Sequence, residues 1–134
     1  MNSEQEYYIS LIDRLRQLPV ETEWLEYKMN NYEPELIGEY ISALSNSATI
    51  CNKEKAYILW GINDKTHEIE GTSFSPKKAK KGNEEIENWL AGGLKPRVDF
   101  RFIEVNTDKG KVVVMEHCEQ ILDDYRKLEY DMHQ

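Results

Sequence analysis

Cysteine is scarce in this sequence, and its scarcity excludes two classes of small protein. Among 134 residues only Cys51 and Cys118 occur, and they lie far apart with no CxxC spacing. A disulfide-stapled secreted domain and a cysteine-rich zinc module are therefore not expected. A chain of this length can bury a sufficient core without such staples.

Long apolar runs are absent as well. No stretch approaches the ~20 apolar residues that a transmembrane helix needs. The first six residues, MNSEQE, are polar and acidic, unlike the basic start and apolar run of a secretory signal. We therefore expect a cytoplasmic protein that does not associate with membranes.

The sequence also lacks the common nucleotide-binding and hydrolase motifs. Neither GxxxxGK[ST] nor GxGxxG occurs, so P-loop nucleotide hydrolysis is excluded and no residue set supports ATP as a cofactor. There is no GxSxG nucleophile elbow, and the three histidines are widely separated in the sequence. An esterase-like or protease-like triad is not expected.

Positive charge is in deficit, with 17 Lys and Arg against 25 Asp and Glu and a net charge of −8. This balance argues against a general nucleic-acid coat protein, because phosphate binding draws its affinity from Lys and Arg. The charges are nevertheless segregated, since glutamates dominate residues 21–39 and basic residues cluster later in the chain. The candidate nucleic-acid-binding residues are Lys77, Lys78, Lys80, Lys81, Lys95, Arg97 and Arg101. The alternative is that the lysine tract is only a solvated loop.

Hydrophobic periodicity predicts alternating helices and strands. The predicted helices span residues 4–18, 33–46, 84–90 and 121–128. The predicted strands span residues 23–29, 55–62, 98–105 and 111–116, with a short strand at 68–70 and an exposed loop over 72–82. The segment KAYILWGI at 55–62 is apolar at nearly every position, which is typical of a central strand buried on both faces. The prediction is one α+β domain over residues 1–134: a small mixed sheet with an antiparallel C-terminal hairpin, packed by about four helices.

Three carboxylates are candidate metal ligands. Glu21, Glu26 and Asp64 offer the hard oxygen donors that Mg²⁺ and Mn²⁺ prefer in phosphoryl transfer. Surface glutamates are usually only solvated, which is the alternative. Strand geometry gives a test, because parallel pairing of 23–29 with 55–62 in step would place Glu21 and Asp64 at opposite ends of the pair. Antiparallel pairing would bring them together.

Aromatic residues could stack on nucleic-acid bases, but their positions favour a structural role. Most of the aromatic residues, which are Trp24, Trp60, Trp89 and eight tyrosines, fall where core side chains belong in the predicted elements. Tyr32, in the loop before the second helix, is the aromatic that we expect to be exposed.

Several segments together resemble one family. They are ETEWLEYK at 21–28, ISALSN at 41–46, AYILWGIND at 56–64, HEIEGT at 67–72, and NWL at 88–90 with LKP at 94–96. In this order they are similar to the Schlafen-type AlbA-like domain, long labelled "divergent AAA". The resemblance covers about residues 20–117, whereas 118–134 resembles a divergent, charged helix.

The resemblance implies a nucleic-acid-associated module of bacterial type, often labelled a transcriptional regulator. In the vertebrate Schlafen branch, three acids form a metal-dependent endoribonuclease site, which implies catalytic and Mg²⁺ or Mn²⁺ ligand roles for Glu21, Glu26 and Asp64. Lys28 matches the lysine of the opening motif and is a fourth catalytic candidate. Three hypotheses result: a DNA- or RNA-binding module, a metal-dependent nuclease, and a protein-interaction domain. A homo-oligomer is compatible with each of them.

Overall fold

The structure is a computed structural model that describes residues 3–18, 24–50, 55–93 and 99–118, without the side chains of 45–50, 99 and 118. The helices are α1 (Ser3–Arg16), α2 (Pro34–Ile50) and α3 (Ile86–Gly93). The strands are β1 (Leu25–Lys28), β2 (Lys55–Trp60), β3 (Lys80–Lys81), β4 (Glu84–Glu85), β5 (Asp99–Thr107) and β6 (Gly110–Cys118). The helix predicted at 121–128 lies outside the described residues. No helix in the described ranges is long and apolar enough to cross a bilayer.

The main sheet has the strand order β1-β2-β6-β5. β1 pairs with β2 in parallel and in step, with Leu25 opposite Tyr57 and Lys28 opposite Trp60. β6 pairs antiparallel with both β2 and β5, and β5 and β6 form a hairpin. The predicted mixed α+β architecture, the C-terminal hairpin and the interior position of β2 are confirmed.

Each face of the sheet is covered by helices. Side chains of β1 alternate between the faces, so that Leu25 and Tyr27 pack in the cluster under α1 while Lys28 lies over Tyr40 of α2. Buried residues on the α1 face include Leu11, Ile12, Leu15, Leu59, Val105, Val112 and Val114. Buried residues on the α2 and α3 face include Ile37, Ile41, Ile58, Trp60, Phe74, Ile86, Leu90 and Met115.

The segment predicted as an exposed loop over 72–82 is partly structured. Phe74 is fully buried, and β3 pairs with β4 across a turn in which Gly82 has a φ of +63°. Opposite charges face each other across this small hairpin, with Lys80 opposite Glu85. The helix predicted from residue 84 therefore begins only at Ile86. The short strand predicted at 68–70 is reduced to one bridge between Ile62 and Ile69.

Polar side chains fasten α1 to the sheet. The Tyr8 hydroxyl donates to the Glu116 carboxylate at 2.9 Å, and Glu116 is buried with 3% of its surface exposed. The Gln5 side-chain amide donates to the Glu104 carbonyl at 3.0 Å and accepts from the Asn106 N–H at 3.2 Å, both on β5. The position of α1 is therefore determined by hydrogen bonds as well as by apolar packing.

Candidate functional site

A small cleft opens at the carboxyl ends of the parallel pair β1 and β2. It has a volume of about 180 Å³, and its lining includes Lys28, Asn31 and Asp64. Parallel strands end at the same edge of a sheet, so the loops that follow them meet there, and ligand sites often form at such edges. The loop after β2 thus brings Asp64 to the same cleft as Lys28.

Lys28, which lines this cleft, is held as a cation by its neighbours Glu26 and Tyr40. Its Nζ lies 3.0 Å from Oε1 of Glu26 and 4.4 Å from the ring centroid of Tyr40, and 19% of its side chain is exposed. Burial lowers the pKa of the Lys28 amine, but hydrogen bonds with Glu26 and Tyr40 and the negative charge of Glu26 outweigh it, so the pKa lies above its ordinary value. The charged amine is therefore suited to contact an anion such as a phosphate rather than to act as a base. Periodicity predicts a helix over 33–46, which contains Tyr40, but it gives no sign of this contact with Lys28.

The loop that carries Asp64 is fixed by its neighbours. The Asn63 side-chain oxygen accepts the N–H groups of Lys65 and Thr66 at 2.8 and 3.0 Å, which is an Asx-type turn. His67 has a φ of +61°, and its carbonyl accepts a hydrogen bond from Arg16 Nε at 2.6 Å. Arg16 thus ties the end of α1 to this loop.

The three predicted carboxylates are not seen together. Glu26 contacts Lys28, Asp64 lines the cleft, and Glu21 lies outside the described residues. The pairing of β1 with β2 is parallel and in step, which is the arrangement expected to separate Glu21 from Asp64. Within the described ranges, no group of three or more His, Cys, Asp or Glu side chains could hold a metal ion. The three-carboxylate site stays a prediction.

The predicted basic residues fall in different places. Lys77, Lys78 and Lys80 are exposed, and in the described part of the chain none of them forms an ion pair. Lys81 pairs with Glu35 at the start of α2, and its amine lies 5.9 Å from the ring centroid of Trp89. The hydrogen bond with Lys81 also lowers the pKa of the Glu35 carboxyl.

Arg101 lies apart from the lysine tract. It pairs with Glu4 of α1 at 2.8 Å, on the sheet face opposite to the one that α2 and α3 cover. Lys95 and Arg97 lie outside the described residues. The described basic candidates are therefore divided between the lysine tract, where glutamates of β4 and α2 lie close to Lys80 and Lys81, and the separate position of Arg101.

All three tryptophans contact the core, as predicted, but to different extents. Trp60 is fully buried, but Trp24 and Trp89 are only partly buried against the core. Tyr32, expected to be exposed, is also partly buried because its ring stacks on Phe74 with 4.8 Å between centroids.

A second cavity lies between α2 and α3, with a volume of about 410 Å³. Its lining comprises Gly38, Glu39, Ser42, Trp89, Leu90 and Gly93. The partial exposure of Trp89 follows from this cavity. Sequence reasoning missed it, because a gap between two helices leaves no local signal in either helix.

The family model described as "Schlafen, AlbA_2" matches residues 21–132. The chain belongs to the Schlafen AlbA_2 family. The match continues beyond residue 117, where the motif comparison predicted its end, and includes most of the segment that was interpreted as divergent. No curated protein matches the sequence significantly. Membership of the Schlafen AlbA_2 family suggests a role related to nucleic acids.

Proposed function

We propose that this domain binds DNA or RNA through the β3–β4 hairpin and the turn before it. The observation that carries the proposal is the exposure of Lys77, Lys78 and Lys80, which form no ion pair with any described residue. Three free ammonium groups close together in sequence can each replace a counterion on consecutive phosphates. The family's association with nucleic acids supports the same role.

The hairpin is held in place by contacts that leave those lysines free. Lys81 is anchored to Glu35, and Ile86 N–H donates to the Ala79 carbonyl at 3.1 Å. The backbone that presents the lysines is therefore attached to α2 and α3. Because the chain carries a net charge of −8, repulsion from the rest of the surface opposes a large nucleic-acid footprint. We expect weak binding that falls steeply with salt.

The test is a pair of charge-matched double variants. Lys77→Ala with Lys78→Ala should lower affinity for all sequences alike and flatten the salt dependence by about 0.7 per lysine on single strands. Arg14→Ala with Lys109→Ala removes the same charge from exposed positions on α1 and the β5–β6 turn.

Labelled single- and double-stranded oligonucleotides would be titrated at two salt concentrations. Equal losses in the two double variants would show that only net charge matters and would contradict a hairpin interface. Absence of binding to any oligonucleotide at low salt would contradict the function itself.

A metal-dependent nuclease is the second candidate, and one observation favours it. Lys28 is a charged amine at a cleft that Asp64 also lines, and it contacts Glu26. A phosphate bound near Lys28 would gain from its positive charge, and Mg²⁺ or Mn²⁺ would supply the Lewis acid that activates water. Glu26 and Asp64 are the proposed ligands, and Glu21 is left out because the parallel pairing of β1 with β2 is the arrangement expected to separate it from Asp64.

A further inference from the structure

The cavity between α2 and α3 has the size and the walls of a small-molecule site. Its volume of about 410 Å³ falls within the ~300–1,000 Å³ range of ligand pockets. Gly38 leaves space on one side of the cavity because it has no side chain. A Cβ added there would lie 3.5 Å from Cδ2 of Leu90. Trp89 gives the other side an aromatic wall.

Two polar side chains at this cavity, besides the indole of Trp89, lie on one helix. Glu39 and Ser42 are three residues apart on α2, so their side chains lie on the same face of the helix. Glu39 is exposed and Ser42 is partly exposed. A carboxylate accepts hydrogen bonds only, whereas a hydroxyl can donate or accept. The cavity therefore favours a flat apolar ligand with N–H donors on its edge.

The β3–β4 hairpin contacts Trp89, one wall of the same cavity, through Lys81. The amine of Lys81, which also pairs with Glu35, lies over the ring of Trp89 at 5.9 Å from its centroid. A base held in the cavity against Trp89 would therefore have the Lys81 ammonium group nearby to contact its phosphate. An aromatic platform beside a basic strand is the usual arrangement in single-strand binding.

We propose that this cavity takes one unpaired base of a single-stranded nucleic acid, with a preference for guanine over uracil. The inference rests on the proposed nucleic-acid-binding function. Guanine presents two neighbouring N–H donors on its Watson–Crick edge, which one carboxylate can accept together. Uracil presents a single N–H between two carbonyl oxygens, and those oxygens would face the Glu39 carboxylate. The carboxylate therefore supplies the discrimination and Trp89 supplies the stacking.

The first experiment uses strands that differ in one base. A short oligouridylate, the same strand with one central guanine, their DNA counterparts and a duplex would be titrated against the wild type. Gly38→Leu fills the cavity, and Ala43→Leu adds the same side chain at an exposed position of α2 as a control. Gly38→Leu should weaken binding of the guanine-containing strand roughly 5- to 150-fold, the range measured for loss of one base stack. Duplex binding should be unchanged, and Ala43→Leu should behave as wild type.

The second experiment tests the carboxylate without altering the cavity. Glu39→Gln should abolish the preference for guanine over uracil. Glu33→Gln removes the same charge from an exposed residue directly before α2, and it should retain the preference. If Gly38→Leu does not fold, as judged by circular dichroism, these two glutamate variants still test the proposed base site. Equal affinity of wild type for both strands, or a guanine preference that survives Glu39→Gln, would overturn the inference.

Mononucleotides separate this inference from the proposed function. GMP should quench tryptophan fluorescence at lower concentration than UMP, and Gly38→Leu should remove the difference. Loss of strand binding in the Lys77→Ala, Lys78→Ala variant with retained GMP binding supports both proposals. The contrary result is strand binding that depends on the lysines without any preference for GMP over UMP or for the guanine-containing strand. That result overturns the proposed base site in the cavity and leaves the proposed nucleic-acid binding by the β3–β4 hairpin intact.

Discussion

Removing the Tyr8 hydroxyl should destabilise the domain, because this hydroxyl donates a hydrogen bond to the buried carboxylate of Glu116. Glu116 accepts from Tyr8 at 2.9 Å and from Lys55 Nζ at 3.0 Å. A hydrogen bond to a charged group contributes about 1.5–3 kcal/mol. Tyr8→Phe keeps the ring and leaves no cavity, so we expect a loss of about 2 kcal/mol in the free energy of unfolding. Urea unfolding at pH 8 would measure it, with Tyr7→Phe, 47% exposed on the same helix, as a nearly neutral control.

The same pair predicts a pH dependence with a definite sign. Burial, the hydrogen bond to Glu116 and its charge raise the pKa of Tyr8 above its ordinary value of 10.0. Above pH 10 the unfolded chain therefore loses this proton while the folded chain keeps it, so stability from Tyr8 is full below pH 10 and falls as pH rises. Between pH 8 and pH 11 the advantage of wild type over Tyr8→Phe should shrink by about 1.4 kcal/mol. Comparing the two proteins cancels the titration of other groups.

Two results would refute this reasoning. Equal stability of wild type and Tyr8→Phe at pH 8 would show that the hydroxyl contributes nothing net to Glu116. A difference that stays constant from pH 8 to pH 11 would show that Tyr8 ionises alike in the folded and unfolded chains.

Three further predictions concern other parts of the fold. If Glu26 is a metal ligand, millimolar Mn²⁺ should raise the melting temperature of wild type but not of Glu26→Gln, and identical responses would exclude a metal role for that carboxylate. Gly61→Ala should cost at least about 2 kcal/mol, because φ is +103° and the added Cβ would lie 2.8 Å from the Lys111 carbonyl oxygen. Gly92→Ala, with nothing within 4 Å of the added Cβ, should be neutral or stabilising by up to about 1 kcal/mol in the same thermal scan. Gln5→Ala should lower the melting temperature by a few degrees through the loss of two hydrogen bonds to β5.

The elements that sequence predicted well are those with a strong local pattern. The apolar segment at 55–62 and the stripe of Ile37 and Ile41 determine a central strand and a helix without help from elsewhere. The β3–β4 hairpin was missed because its strands have two residues each and depend on tertiary contacts such as that between Lys81 and Glu35. No periodicity can appear in so short a strand.

The candidate sites were less predictable because they join residues distant in the sequence. The motif comparison found Lys28 and Asp64, but their common cleft depends on the parallel pairing of β1 with β2. Periodicity does not determine strand direction. Trp89 illustrates the same limit, since its position on a helix indicates the core, whereas its partial exposure depends on the gap beside Gly38.

The contact between Gln5 and β5 has a consequence for how copies of the chain meet. Among the described strands, β5 lies at the edge of the sheet. Gln5 donates to the Glu104 carbonyl and accepts from the Asn106 N–H, the two groups that a neighbouring parallel strand would use. One side-chain amide thus imitates one residue of an absent strand. It blocks this stretch from recruiting a foreign β-strand, the event that starts edge-to-edge aggregation. The helix α1 therefore protects the β5 edge as well as burying one face of the sheet. A chain without α1 would expose backbone groups of β5 to which a second copy could pair.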